Sequence, residues 1–152
     1  MWRYGMANVQ SILDQKGNAV YSIKPDDVLG HALLQLTEHK IGALLVLNEQ
    51  GDIKGILSER DIIRHFSRRL EHLNTAEIKV KDVMTTHVTY VKPHQSAEDC
   101  LQLMTAGRFR HLPVMEDDKV IGMVSVGDVV KIVLEERDFQ IGELEHYITN
   151  AY

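Results

Sequence analysis

The heptapeptide GILSERD, residues 55–61, sets a glycine before two aliphatic residues, then a serine and, three positions on, an aspartate. The pattern returns at GMVSVGD, residues 122–128, with Gly, Ser and Asp at the same offsets. Just past an apolar run, S-x-x-D has the spacing of a helix capping box. Ser58 would be the N-cap, and Asp61 at the third helical position would reach back to the N-cap amide. Such a box can be purely structural. The same geometry also suits a ligand. A helix N-terminus offers unpaired N–H groups and the positive end of the macrodipole, both of which favour phosphate. A serine hydroxyl there adds a hydrogen bond, and an ionised carboxylate can accept two from a vicinal diol such as that of ribose. Gly55 and Gly122 lack a Cβ and would admit another backbone or a flat base at close range. From one copy alone, both readings stay open.

The motifs belong to a longer duplication. VYSIKP at 20–25 lies on VTYVKP at 88–93 with an offset of 68, and the match continues through Leu33/Leu101, Thr37/Thr105, Leu44/Leu112 and Val46/Val114. One residue drops out after Glu49, and an offset of 67 then aligns Gly55, Ser58 and Asp61 with Gly122, Ser125 and Asp128. The lead-in segments correspond as well, VQSIL at 9–13 with VKDVM at 80–84. A repeat of this length sets the architecture.

Each copy reads as the same series. An amphipathic lead-in helix carries Val9, Ile12 and Leu13, or Val80, Val83 and Met84. An extended segment runs to Pro25 or Pro93, and the proline opens a helix whose first turn takes Asp26 and Asp27. That helix shows one face of Val28, Ala32, Leu33 and Leu36, or Ala97, Cys100, Leu101 and Met104. Cys100 stands opposite Ala32 and reads as a small core residue. Two apolar runs around a turn, at 41–57 and 109–124, predict strand–turn–strand, and helices follow at 61–70 and 128–137. The expected class is α+β, with helix–strand–helix–strand–strand–helix repeats at 7–70 and 71–138 and a helical tail at 139–152. Units this small should pack as one two-fold pseudosymmetric body.

Composition bounds the function. With 44% hydrophobic and 26% charged residues, the 152-residue chain reads as globular. No apolar run approaches the ~20 residues of a membrane span. The N-terminal MWRYGMANVQ has no secretory core. One cysteine cannot form an intrachain disulfide, and the expected setting is reducing and cytoplasmic. A net charge of −5 argues against a sequence-independent nucleic-acid binder. Basic residues cluster at Arg60, Arg64, Arg68 and Arg69, and again at Arg108, Arg110 and His111. Each cluster is either a solvated face or a local anion site. The sequence holds no nucleophile elbow, Walker A loop or G-x-G-x-x-G, and its scattered histidines predict no metal site.

The duplicated G-x-x-S-x-x-D motifs, with KIGALLV and RFRHLPV, resemble tandem cystathionine-β-synthase (CBS) domains over about residues 7–138. A pair of these is a Bateman module, here expected to stand alone. The resemblance implies a regulatory module, not an enzyme, that has no catalytic cofactor and binds AMP, ADP, ATP or NAD(H) in clefts between the repeats. It makes Asp61 and Asp128 ribose acceptors and Ser58 and Ser125 phosphate-side donors. Arg110 and His111, ahead of Leu112 and Pro113, resemble a basic pair that contacts phosphate in the family, in reversed order. The matching Gly42 and Ala43 are uncharged, so the two sites should differ, and Arg60 adds charge beside the first alone. Val20, Tyr21, Val88 and Thr89 would meet adenine, beside Ile41. The resemblance also implies a C2 homodimer through the helices that follow each motif, with the segment 141–148 aiding it, and an unknown regulated protein. Two alternatives stand beside this reading: a weak nucleotide hydrolase, and a structural dimerisation module with empty clefts.

Overall fold

The computed structural model describes residues 7–68 and 74–150. Arg69, Leu70 and the boundary between the sequence repeats lie outside the described residues. In chain order the elements are α1 (Val9–Lys16), β1 (Ser22–Ile23), α2 (Leu29–His39), β2 (Ala43–Leu47), β3 (Ile53–Ser58) and α3 (Glu59–Ser67). A 3₁₀ turn (Val80–Asp82), α4 (Ala97–Gly107), β4 (His111–Glu116), β5 (Lys119–Ser125) and α5 (Val126–Asn150) follow. The class is α+β.

The compact units are offset from the sequence repeats. One runs Val20–Thr89, and the other joins the segment up to Ala19 with the chain from Tyr90 on. The repeats have exchanged their lead-ins. Val9, Ile12 and Leu13 of α1 are buried among Val91, Leu112, Val124 and Val129 of the second copy. Val80, from the second lead-in, is buried among Ile23, Leu44, Leu57 and Ile62 of the first.

In the Val20–Thr89 unit the sheet order is β1-β2-β3, with β1 parallel and β3 antiparallel to β2. Ala43, Leu44, Leu45 and Val46 are all buried, as befits a central strand covered on both faces. The second unit keeps the β4–β5 pair, but its counterpart of β1 shrinks to one parallel bridge, Val91 to Val114. The cause is a single residue. In the first unit the Leu45 N–H donates to the Tyr21 carbonyl at 3.1 Å. The residue matching Leu45 is Pro113, which has no N–H to give.

Two local expectations need correction. The second lead-in is not a helix but the single 3₁₀ turn. Thr85 exchanges two backbone hydrogen bonds of 2.9 Å with Ile56, and this pulls the chain into extended form directly after Met84. Asp26 and Asp27 do not enter the first turn of α2, which starts at Leu29 after the N-cap Val28. The Asp27 carboxylate instead accepts from the Lys24 N–H at 3.0 Å, and Asp26 pairs with Lys81 at 2.7 Å. Cys100 is fully buried, as is Ala32, and burial pushes its thiol up to about 11. The tail at 139–150 is continuous with α5, whose Val129 and Ile132 are buried and whose residues from Arg137 on are all exposed.

Candidate functional site: two strand-to-helix corners

The apolar run IKGIL forms β3 and sets Ser58 at its end. Cross-strand register places Ala43 opposite Ser58, and the Glu59 N–H donates to the Gly42 carbonyl at 3.0 Å. There the chain turns into α3 through the capping box that the spacing predicts. Ser58 donates to Asp61 Oδ2 through both its N–H and its hydroxyl at 2.9 Å, and the Asp61 N–H donates back to the hydroxyl at 3.3 Å. Asp61 is only 8% exposed. Its other oxygen, Oδ1, accepts from the Thr85 hydroxyl at 2.9 Å, and the Arg64 guanidinium lies 3.8 Å from it. Both carboxylate oxygens therefore have partners within the fold. Arg60 lies exposed in the first turn of α3.

The second corner repeats the frame with different partners. His111 pairs opposite Ser125, and the Val126 N–H donates to the Arg110 carbonyl at 2.9 Å. Arg110 and His111 thus stand where the first corner has Gly42 and Ala43. The Ser125 N–H donates to Asp128 Oδ2 at 2.8 Å, and the Asp128 N–H donates to the Ser125 hydroxyl at 3.2 Å. In place of a threonine, the Lys16 ammonium reaches the same Oδ2 at 2.7 Å and donates to the Met123 carbonyl at 2.9 Å. Asp128 Oδ1 accepts no hydrogen bond among the described residues, and 26% of the side chain is exposed. Burial alone would raise this carboxyl. Lys16 and the Ser125 amide outweigh it and hold Asp128 below the usual carboxylate range.

The remaining candidates are placed as follows. Tyr21 lies on the first unit with its ring stacked on His39 at 4.1 Å. Val20, Val88 and Thr89 are half-buried in the same unit, outside its strands. Ile41 packs against the first core, and Pro113 is buried within β4. Gly55 and Gly122 do permit close approach, but of lead-in rather than ligand. A Cβ on Gly55 would stand 2.7 Å from the Thr85 carbonyl oxygen, and one on Gly122 would stand 2.6 Å from Leu13 Cδ2. Sequence reasoning missed Thr85 and Lys16. Both come from the exchanged lead-ins, and aligning each lead-in with its own repeat hides them.

Comparison with known proteins places this frame. The model of the CBS domain family matches residues 17–68 and 80–135. The mitochondrial CBS domain-containing protein CBSX3 of Arabidopsis thaliana is 37% identical over 131 residues, covering 84% of this chain and 63% of that protein. The chain therefore spans less than two thirds of that relative's length. The crystal structure of the CBS-domain containing protein ATU1752 from Agrobacterium tumefaciens matches with a TM-score of 0.80 at 35% identity, covering 87% of this chain and 98% of that one. An inosine-5'-monophosphate dehydrogenase of Methanocaldococcus jannaschii is 31% identical over 113 residues, 74% of this chain but 21% of the enzyme. CBS domains are regulatory modules, often nucleotide-binding, and they occur within larger proteins of this kind. No helix among the described residues is long and apolar enough to cross a membrane. With its duplicated fold, its two capped corners and these matches, the chain belongs to the CBS-domain family and carries the domain as a tandem pair.

Proposed function

We propose that this chain is a regulatory module that senses an adenosine-containing nucleotide, AMP, ADP, ATP or NAD(H), and passes the signal to a partner protein. One observation carries the reading. At the second corner an ionised Asp128 keeps one oxygen without a hydrogen bond among the described residues, beside a helix start and the Lys16 ammonium. A carboxylate so placed can accept from ribose hydroxyls. Lys16, the Ser125 hydroxyl and the Arg110–His111 pair supply the charge and donors that suit phosphate. The first corner is the weaker of the two, since the Asp61 oxygens already serve Ser58 and Thr85. The module works by binding, not turnover. A nucleotide shifts its conformation only as far as it binds two states with different affinity, and a homodimer formed through the CBS helices would let a partner read that shift.

The test is a thermal-shift and calorimetric titration of the purified chain with each nucleotide and with S-adenosylmethionine. Ligand at a hundred times its dissociation constant should stabilise the protein by about 2.7 kcal/mol. Asp128→Asn should weaken binding by at least about tenfold. The reading fails if no adenosine-containing compound stabilises the protein and mass spectrometry finds none copurifying with it.

A further inference from the structure

Lys16 is the last residue of α1, and its ammonium reaches across to the second corner. The helix beneath it is fixed. Val9, Ile12 and Leu13 are buried in the core of this unit, the Ala7 N–H donates to Glu136 at 3.1 Å, and Gln15 donates to Glu135 at 3.0 Å. An ammonium has three protons to give. One goes to Asp128 Oδ2 at 2.7 Å and one to the Met123 carbonyl at 2.9 Å, and among the described residues the third has no acceptor. Asp128 Oδ2 also accepts from the Ser125 N–H at 2.8 Å, so both of its lone pairs are in use. The two hydroxyls of a vicinal diol are spaced to meet both oxygens of one carboxylate. At this corner that arrangement requires Lys16 to give up Oδ2.

We infer that Lys16 selects a phosphate-bearing ligand at the second corner: its ammonium holds Asp128 in this structure and transfers to the phosphate when ribose takes the carboxylate. This rests on the reading of that corner as a nucleotide site. A ribose on both oxygens of Asp128 displaces a cation from its carboxylate partner. The four-carbon lysine stem is flexible and 36% of the side chain is exposed, so the ammonium is able to move. Phosphate oxygens offset the broken pair with charge-assisted hydrogen bonds. A neutral nucleoside displaces the same cation and supplies no anion to receive it. The sulfonium of S-adenosylmethionine sets a like charge beside it. At the first corner the neutral Thr85 hydroxyl stands in the corresponding role, and its displacement sets no charge free. Selection by charge transfer therefore belongs to the second corner and comes from the exchanged lead-in.

Calorimetric titration of the full chain with AMP, ADP, ATP, NAD and adenosine, singly and in competition, reads this directly. The wild type should prefer the tightest of the four nucleotides over adenosine by at least about tenfold. Lys16→Met should weaken that nucleotide by at least about tenfold and tighten adenosine by about threefold, since Oδ2 is then free for the diol. Lys16→Arg keeps the charge and should keep the preference for phosphate. Both variants should retain the wild-type circular dichroism, because the buried residues of α1 are untouched. Equal weakening of nucleotide and adenosine in Lys16→Met would make the lysine a prop for Asp128 and overturns the transfer. An unchanged nucleotide affinity in that variant overturns it as well. If the wild type binds none of the five compounds, the nucleotide reading of the corner fails and this inference falls with it, whereas opposite shifts for nucleotide and adenosine support both.

Discussion

The corner at Ser58–Asp61 and the corner at Ser125–Asp128 share one capping box and differ in what the neighbouring lead-in brings to it. At the first, Thr85 donates a hydroxyl to the second oxygen of a buried carboxylate, and the corner is closed on itself. At the second, Lys16 brings a charge to the oxygen already used, and among the described residues the other oxygen accepts no hydrogen bond. A third S-x-x-D box, Ser96–Asp99 at the start of α4, shows the frame with neither. Its bonds of 3.0 and 3.3 Å cap a helix on an exposed surface. The box by itself is therefore a helix start. What separates a cap from a candidate ligand corner is the chemistry delivered by a segment distant in sequence.

The glycines under the two lead-ins probe the comparison most strongly. At Gly55 an added methyl meets the Thr85 carbonyl oxygen at 2.7 Å and Met84 Sδ at 2.8 Å, and the backbone oxygen is held in a ladder. Gly55→Ala should cost about 3 kcal/mol, near the upper end of overpacking effects. At Gly122 the obstacle is the end of the buried Leu13 side chain rather than backbone, and Gly122→Ala should cost less, about 1 kcal/mol. Urea unfolding of both variants decides it. Equal losses would mean that the two lead-ins are held alike.

Carboxylate substitutions come next in size and separate stability from binding. Asp61→Asn disturbs a buried group with partners on both oxygens and should destabilise by about 2 kcal/mol. Asp128→Asn disturbs a more open group and should cost about 1 kcal/mol or less. For nucleotide binding the order should reverse, with Asp128→Asn the more damaging. If Asp61→Asn removes binding while leaving stability untouched, the closed and open roles have been assigned to the wrong corners.

Much of this was legible in the sequence, because the information is local or periodic. The capping boxes follow from S-x-x-D, the strand pair from two apolar runs around a turn, and the burial of Cys100 from its register with Ala32. The exchange of lead-ins was not legible. Val9–Leu13 and Val80–Met84 have the same apolar pattern, so either could fill either core, and local sequence does not say which. Thr85 and Lys16 were lost with it, since each acts on a carboxylate 24 or 112 residues away. The loss of the second β1 was readable in retrospect from Pro113, through a missing donor.

The smallest effect expected is the charge at the second corner, and pH isolates it. Lys16 and Ser125 hold Asp128 below the usual carboxylate range despite its burial. A carboxyl depressed by folding contributes stability that is present above its unfolded pKa of about 3.9 and lost as pH falls through the lower folded value. The stability difference between wild type and Lys16→Met should therefore be full at pH 6 and shrink below about pH 4. Carboxylates common to both proteins largely cancel in that difference. Its size should stay under about 1 kcal/mol, since both partners are partly exposed, and it should shrink further in salt. Lys16 also donates to the Met123 carbonyl at 2.9 Å, a bond that needs no ionised aspartate. A difference that stays constant from pH 7 to pH 3 would assign the lysine to that bond and to packing. Asp128 would then be open to a ligand without an internal cation holding it ionised.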